Sequence, residues 1–151
     1  MFEEKINQLG FELPEVAKPL AAYIPAKKIG NLVVTSGQIP VVKSEMKYAG
    51  KVGKDISEED GQKAAQICAL NCLAAIKSVI GSLDNIEEIV KLTVFVNSAN
   101  GFTSQPKVAN GASELLGKIF GDKGAHVRSA VGVNELPLNA AVEIEMIVSV
   151  K

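Results

Sequence analysis

The chain has 151 residues, 47% of them hydrophobic and 22% charged, with 16 basic against 17 acidic side chains and a formal net charge of −1. That length supports one self-sufficient core, and the composition excludes a disordered chain or a small disulfide scaffold. Near-neutral charge also excludes a strong long-range attraction to a polyanion such as RNA. No uninterrupted apolar run approaches the ~18 residues of a membrane span, and the mixed-charge opening MFEEKINQLGFELPEVAK lacks the basic-then-apolar order of a secretory signal. A cytoplasmic location is therefore the expectation.

Residues 2–9 have the spacing of a short amphipathic helix ended by Gly10, followed by an irregular stretch with Pro14 and Pro19. Two apolar runs, 21–29 and 31–39, separated by a turn at Gly30, suit two strands, and residues 46–52 form a weaker strand candidate limited by Gly50 and Gly53. At Ser57 the period changes from two to about 3.6. Ser57 with Asp60 three residues on resembles a capping box, and Ala64, Ile67, Cys68, Cys72, Ala75, Ile76, Val79 and Ile80 make one apolar stripe that stops at Gly81. Cys68 and Cys72 lie on that stripe as small hydrophobes rather than as a disulfide or metal pair, and a chain with one histidine, His126, is short of nitrogen ligands for zinc. No metal site is expected.

Residues 85–97 read as a strand with Val90, Leu92, Val94 and Val96 on one face and Lys91, Thr93 and Phe95 on the other. A second helix opens at Thr103 or Ser104 with Pro106 in its first turn, presents Val108, Ala112, Leu115, Leu116, Ile119 and Phe120, and ends at Gly121. The closing segment 126–150 contains two β-branched runs joined by a short loop around Leu136 and Pro137, which predicts a β-hairpin. Alternation puts Val142, Ile144, Met146, Val148 and Val150 on one face and Glu143 and Glu145 on the other. In the first run Arg128 shares a face with Ala130 and Gly132. A closed hairpin would set Arg128 opposite Glu143, or opposite Glu145 after a two-residue slip, with all three on the face away from the core. The expected order is strands, helix, strand, helix, strand, strand in one α+β domain over residues 1–151. Two helices can cover only one face of that sheet, leaving the other, with Thr93, Phe95, Arg128 and Glu143, as a candidate oligomer interface.

Three phrases, TSGQIP at Thr35 to Pro40, KLTVFV at Lys91 to Val96, and RSAVGV followed by ELPLNAAVEIE from Arg128 to Glu145, resemble the RidA/YjgF family, also labelled Rid or L-PSP endoribonuclease. The resemblance spans nearly the whole chain. The longer loops at 45–53 and 101–106 and the phrase GFTSQPKVANGA look like a less-studied branch rather than RidA itself. The resemblance implies a chorismate-mutase-like fold, a mixed sheet with two main helices on one face, and a homotrimer whose sheets form a barrel with ligand clefts between subunits. It further implies cofactor-free hydrolysis of enamines and imines to 2-keto acids and ammonia. Carried over by position, the carboxylate-binding arginine is Arg128, the water-associated glutamate Glu143, the cleft tyrosine Tyr23, the cleft asparagine Asn110, and the serine-glycine pair Ser36 and Gly37. The cysteine common two residues after the arginine is Ala130 here.

A planar guanidinium forks onto a carboxylate as lysine cannot, and a glutamate can act as general base toward water. Each residue also has a plainer role open to it: Arg128 as a cross-strand ion-pair partner, Glu143 as a solvated strand carboxylate, Tyr23 as a half-buried tyrosine, Asn110 as a solvent-facing helix residue, and Ser36 to Gln38 as a strand end whose N–H groups could otherwise meet an anion. His126, on the Arg128 face, is expected to be incidental. Three functions compete: an imine or enamine deaminase acting on a small 2-imino or 2-keto acid, a non-catalytic trimeric small-molecule binder, which Ala130 keeps open, and an endoribonuclease, which the near-neutral charge and the absence of a basic, aromatic-interleaved stripe disfavour.

Overall fold

The structure is a computed structural model that describes residues 1–18 and 21–151. A seven-residue helix, α1 (Phe2–Gln8), opens the chain and buries Ile6. The irregular stretch expected after it runs through Pro14, while Pro19 lies outside the described residues. The first two strands are shorter than their apolar runs. β1 (Ala26–Ile29) and β2 (Leu32–Thr35) pair antiparallel, and the residues flanking them form bends and single bridges instead. Of the weak candidate at 46–52 only β4 (Glu45–Met46) pairs, with β3 (Val41–Val42), and Ala49 and Val52 make isolated bridges.

Helix α2 (Glu58–Ile80) starts and stops as the sequence dictates: the Ser57 hydroxyl accepts the Asp60 N–H at 3.1 Å, and Gly81 closes it at φ 85°. Its middle is buried all round because it lies between the sheet and α3 (Gln105–Phe120), so it is long and apolar enough to cross a membrane while serving as the core helix here. The predicted stripe is imperfect at its end, where Val79 is 39% exposed. The two helices approach closely at Gly111, where a Cβ would stand 2.2 Å from the Gln62 carbonyl oxygen. All six apolar residues expected to face inward from α3 are buried.

The remaining strands are β5 (Ile86–Asn97), β6 (Val127–Val133) and β7 (Val142–Val150), and the main sheet runs in the order β1-β2-β7-β5-β6. β5 and β6 are parallel, joined through α3, whereas every other pair is antiparallel. The expected terminal hairpin does not form. β5 lies between β6 and β7, so Arg128 neighbours Leu92 rather than either glutamate, and Glu143 neighbours Phe95. The loop 134–141 instead crosses the end of β5. There the buried Asn97 amide donates to Asn139 Oδ1 and the Ala140 carbonyl, both at 3.1 Å, and accepts from Lys51 at 3.1 Å, while Lys51 also bonds the Asn134 carbonyl. The face expected for Val90 is also displaced: a register shift between Ile89 and Lys91 puts Ile89 in the core and leaves Val90 half-buried.

Both helices cover one face, against Val142, Ile144, Met146, Val148 and Val150 of β7 and Leu92, Val94 and Val96 of β5, all buried. Cys68 and Cys72 sit fully buried under that layer with their thiols toward the Val142 and Ile144 carbonyls, and burial pushes the Cys72 thiol up to about 12, which keeps it protonated and inert. Among the described residues no helix covers the other face, which carries Val34, Lys91, Thr93, Phe95, Glu143, Glu145 and Ile147.

Candidate functional site

Arg128 projects from edge strand β6 on the helix side of the sheet, in register with buried Leu92, with Ala130 and Gly132 on the same face. The small pair lets the segment around α3 close in: a Cβ at Gly132 would meet Gln105 Nε2 at 2.6 Å. The expectation that Arg128 shares a face with the two glutamates is therefore overturned. In parallel β5 and β6 paired residues point the same way, and Leu92 points to the core. Ala130 packs against the edge of that core.

The guanidinium is held by neutral acceptors only. Nη1 donates to Asn110 Oδ1 at 2.9 Å and to Ser113 Oγ at 3.0 Å, and Nη2 donates to the Pro106 carbonyl at 3.3 Å. Of its five N–H groups, Nε–H and one on Nη2 are not engaged by protein. Among the described residues no carboxylate lies within ion-pairing distance of it, which removes the cross-strand ion pair. Asn110 acts here as a holder of the arginine rather than as a solvent-facing helix residue. The result is an oriented, uncompensated cation at the rim of a depression of about 490 Å3 that Ser113 and His126 also line.

Glu143 stands on the open face. Burial pushes its carboxyl above the ordinary carboxylate range, and the neighbouring Glu145 charge adds to the rise. Its carboxylate lies directly over Gly37, where a Cβ would come within 2.1 Å of Oε1. The close approach leaves room for a Cβ only if the Glu143 side chain turns away. Paired backbone bonds between Gln38 and Ile144, at 2.8 and 3.0 Å, hold the two segments together. The Ser36 N–H donates to the Pro25 carbonyl and the Gln38 N–H to the Ile144 carbonyl, whereas the Gly37 N–H has no acceptor among the described residues. The Ser36 hydroxyl donates to the Ile24 carbonyl at 2.6 Å, which ties in the segment carrying Tyr23, itself 47% exposed.

The sequence-derived residues thus fall into two groups. Arg128, Asn110 and Ala130 occupy the β6–α3 edge, and Glu143, Gly37, Ser36 and Tyr23 gather at the β2–β7 side. Two strand spacings and three residues along the strands put the Arg128 and Glu143 backbones about 14 Å apart, on opposite faces. One chain cannot bring them to one small molecule. Sequence reasoning missed Ser113 and treated His126 as incidental, although the two are hydrogen-bonded at 2.9 Å; a serine in mid-helix gives no signal of such a role. Among the described residues no group of three or more His, Cys, Asp or Glu is placed to hold a metal ion.

Residues 3–149 match the family model described as "YjgF/chorismate_mutase-like, putative endoribonuclease". The chain belongs to this YjgF family. Protein TCP17 of Trypanosoma cruzi is 40% identical over 95% of the chain and 90% of its own length. The 2-iminobutanoate/2-iminopropanoate deaminase of Salmonella typhimurium is 32% identical over 85% of the chain and 87% of its own length. Among solved structures, a protein of unknown function from Agrobacterium tumefaciens superposes with a TM-score of 0.93 at 40% identity, covering 99% of this chain and 93% of that one. Escherichia coli TdcF with bound serine superposes at 0.63 with 27% identity, covering 92% and 94%. The chain is therefore similar to TCP17 and the Agrobacterium protein before RidA-type deaminases, which fits a less-characterised YjgF branch.

Proposed function

We propose that the protein is a homotrimer that hydrolyses 2-imino acids and their enamine tautomers to 2-keto acids and ammonia, without a cofactor, in clefts shared between copies. One observation carries the reading: among the described residues Arg128 is fixed by three neutral acceptors, has no carboxylate partner, and keeps two donors unspent. A cation so held binds an anion, and a fork of that shape selects a carboxylate. The deaminase relative and the serine-bound TdcF structure support the ligand class.

In this reading Arg128 of one copy holds the substrate carboxylate and Glu143 of the next holds the water. Glu143 accepts a proton as water adds to the C=N carbon and passes it to nitrogen; as the tetrahedral carbinolamine collapses, Glu143 moves the hydroxyl proton to nitrogen as well, so that the C–N bond breaks, ammonia leaves and the C=O bond forms. A carboxyl that burial holds above the ordinary carboxylate range is better suited to accepting and returning a proton. The placement of the two groups on opposite faces supports the shared cleft, and exposed Val127 beside Lys91 and exposed Val131 beside Phe95 support burial of the open face by further copies. A cytoplasmic location belongs to the same proposal.

The test is loss of 2-iminobutyrate generated in situ, with mass by light scattering at micromolar concentration. A trimer that accelerates hydrolysis supports the proposal. A monomer overturns the shared cleft, and a trimer that binds 2-ketobutyrate without turnover turns the assignment to a binding protein, the reading that Ala130 keeps open.

A further inference from the structure

His126 lies two residues before Arg128 and completes a chain of hydrogen bonds whose direction can be assigned. Its Nδ1 is 2.7 Å from the Gly124 carbonyl oxygen, which only accepts, so Nδ1 carries a hydrogen. Its Nε2 is 2.9 Å from Ser113 Oγ, and the same oxygen accepts from Arg128 Nη1 at 3.0 Å. With the ring neutral, Nε2 offers only a lone pair and Ser113 must donate to it. The chain then runs from Arg128 through Ser113 and His126 to Gly124, with each hydrogen spent once.

A proton on Nε2 reverses the middle link. The imidazolium donates to Ser113 Oγ, which then accepts from two cations and must turn its own hydrogen outward. Two positive groups sharing one hydroxyl oxygen are unfavourable alone and favourable when an anion sits on the unspent edge of Arg128. The charged residues lining the depression around the ring are Arg128 and Asp122; α3 contributes Ser113 and Gly117 there, and no other charge lines it.

We propose that His126, acting through Ser113, is a proton-linked positioning residue for the Arg128 site, so that a carboxylate ligand binds there with uptake of a proton. The inference rests on the reading of Arg128 as the carboxylate holder. It assigns His126 no contact with the reacting atoms. Ligand affinity rises as the pH falls through the imidazole titration, by roughly three- to tenfold.

The chain has one histidine, so a single imidazole resonance reports on it. The experiment titrates that resonance by NMR between about pH 5.5 and about pH 8, with and without saturating 2-ketobutyrate, in the full-length protein. The ligand should move the titration to higher pH in the wild type and in Ser113→Thr, which keeps the hydroxyl, and much less in Ser113→Ala. Calorimetry on His126→Gln should show binding whose affinity no longer varies through that window, whereas Asp122→Asn should keep the ligand-induced displacement. Bound 2-ketobutyrate with an unmoved imidazole titration would overturn the coupling alone. Absence of 2-ketobutyrate binding to the wild type would overturn the carboxylate reading of Arg128 and the coupling with it. An undiminished displacement in a folded Ser113→Ala protein would overturn the route through Ser113.

Discussion

Gly37→Ala separates the presence of the Glu143 carboxylate from its position. The new Cβ would stand 2.1 Å from Oε1, 2.9 Å from Cδ and 3.1 Å from Cγ of Glu143. Reaching ordinary contact at about 3.4 Å requires the oxygen to retreat by about 1.3 Å. The backbone at position 37 is not in the left-handed region, so alanine brings no dihedral strain, and the obstructing atoms are the far end of a side chain that can turn. The stability cost should fall at or below the low end of the ~1 to 3 kcal/mol typical of overpacking. Turnover is another matter, because a displacement of about 1 Å at a catalytic group costs on the order of 10²-fold. The assay is 2-iminobutyrate hydrolysis beside thermal unfolding, with Glu143→Gln and the double variant in parallel. If Gly37 acts through Glu143, the double variant should turn over no more slowly than Glu143→Gln alone. A Gly37→Ala protein with wild-type turnover and melting temperature would refute the placement of Glu143 in the chemistry.

Arg128→Lys keeps the charge but loses the planar set of donors that meets Asn110, Ser113 and Pro106 while leaving an edge for ligand; 2-ketobutyrate affinity should drop about ten- to a hundredfold, and equal affinity by calorimetry would end the clamp reading. Glu143→Gln should preserve the fold and slow turnover by ~10²- to 10⁴-fold. It should also stabilise the protein at neutral pH. A carboxyl held above its ordinary range contributes stability that is present at acid pH and lost as the pH rises through the raised value, so the advantage of the amide should vanish near pH ~4; the same difference in unfolding midpoint at both pH values would contradict that environment. Gly111→Ala sets a Cβ against the α2 backbone, 2.2 Å from the Gln62 oxygen and 2.8 Å from its carbonyl carbon. With neither helix backbone free to yield cheaply it should lose at least ~1 to 3 kcal/mol, read as a lower melting temperature, and an unchanged melting temperature would show that α2 and α3 are not so closely packed.

Both long helices could be read from the sequence because their signals are local: Ser57 and Gly81 bound one, Pro106 and Gly121 the other, and the period between them reports burial. The alternation in residues 142–150 was legible for the same reason, and all five inward residues are buried. Strand partnership is not local. Two β-branched runs joined by a short loop satisfy every hairpin signal, yet the loop 134–141 carries Leu138 and Asn139 at φ 55° and 57° and passes over the end of β5, which is held by Asn97 and Lys51. No pattern within 126–150 announces a third strand between the two. That insertion moved Arg128 to the helix side, where the acceptors supplied by α3 are invisible to spacing arguments. The resemblance identified the residues of the candidate site, while their division between two faces needed coordinates.

The separation of Arg128 from Glu143 within one chain also bears on mixed populations of subunits. In the proposed trimer each copy would contribute its arginine to one cleft and its glutamate to another, which would make two defective alleles, Arg128→Lys and Glu143→Gln, complementary rather than redundant. When the two purified proteins are unfolded together in equal amounts and refolded, a cleft is whole wherever the intact arginine of one variant meets the intact glutamate of the other. Random assembly makes that about one cleft in four. Activity recovered above that of either impaired parent would show a site shared between chains, and its absence would mean that each chain had carried its complete site alone.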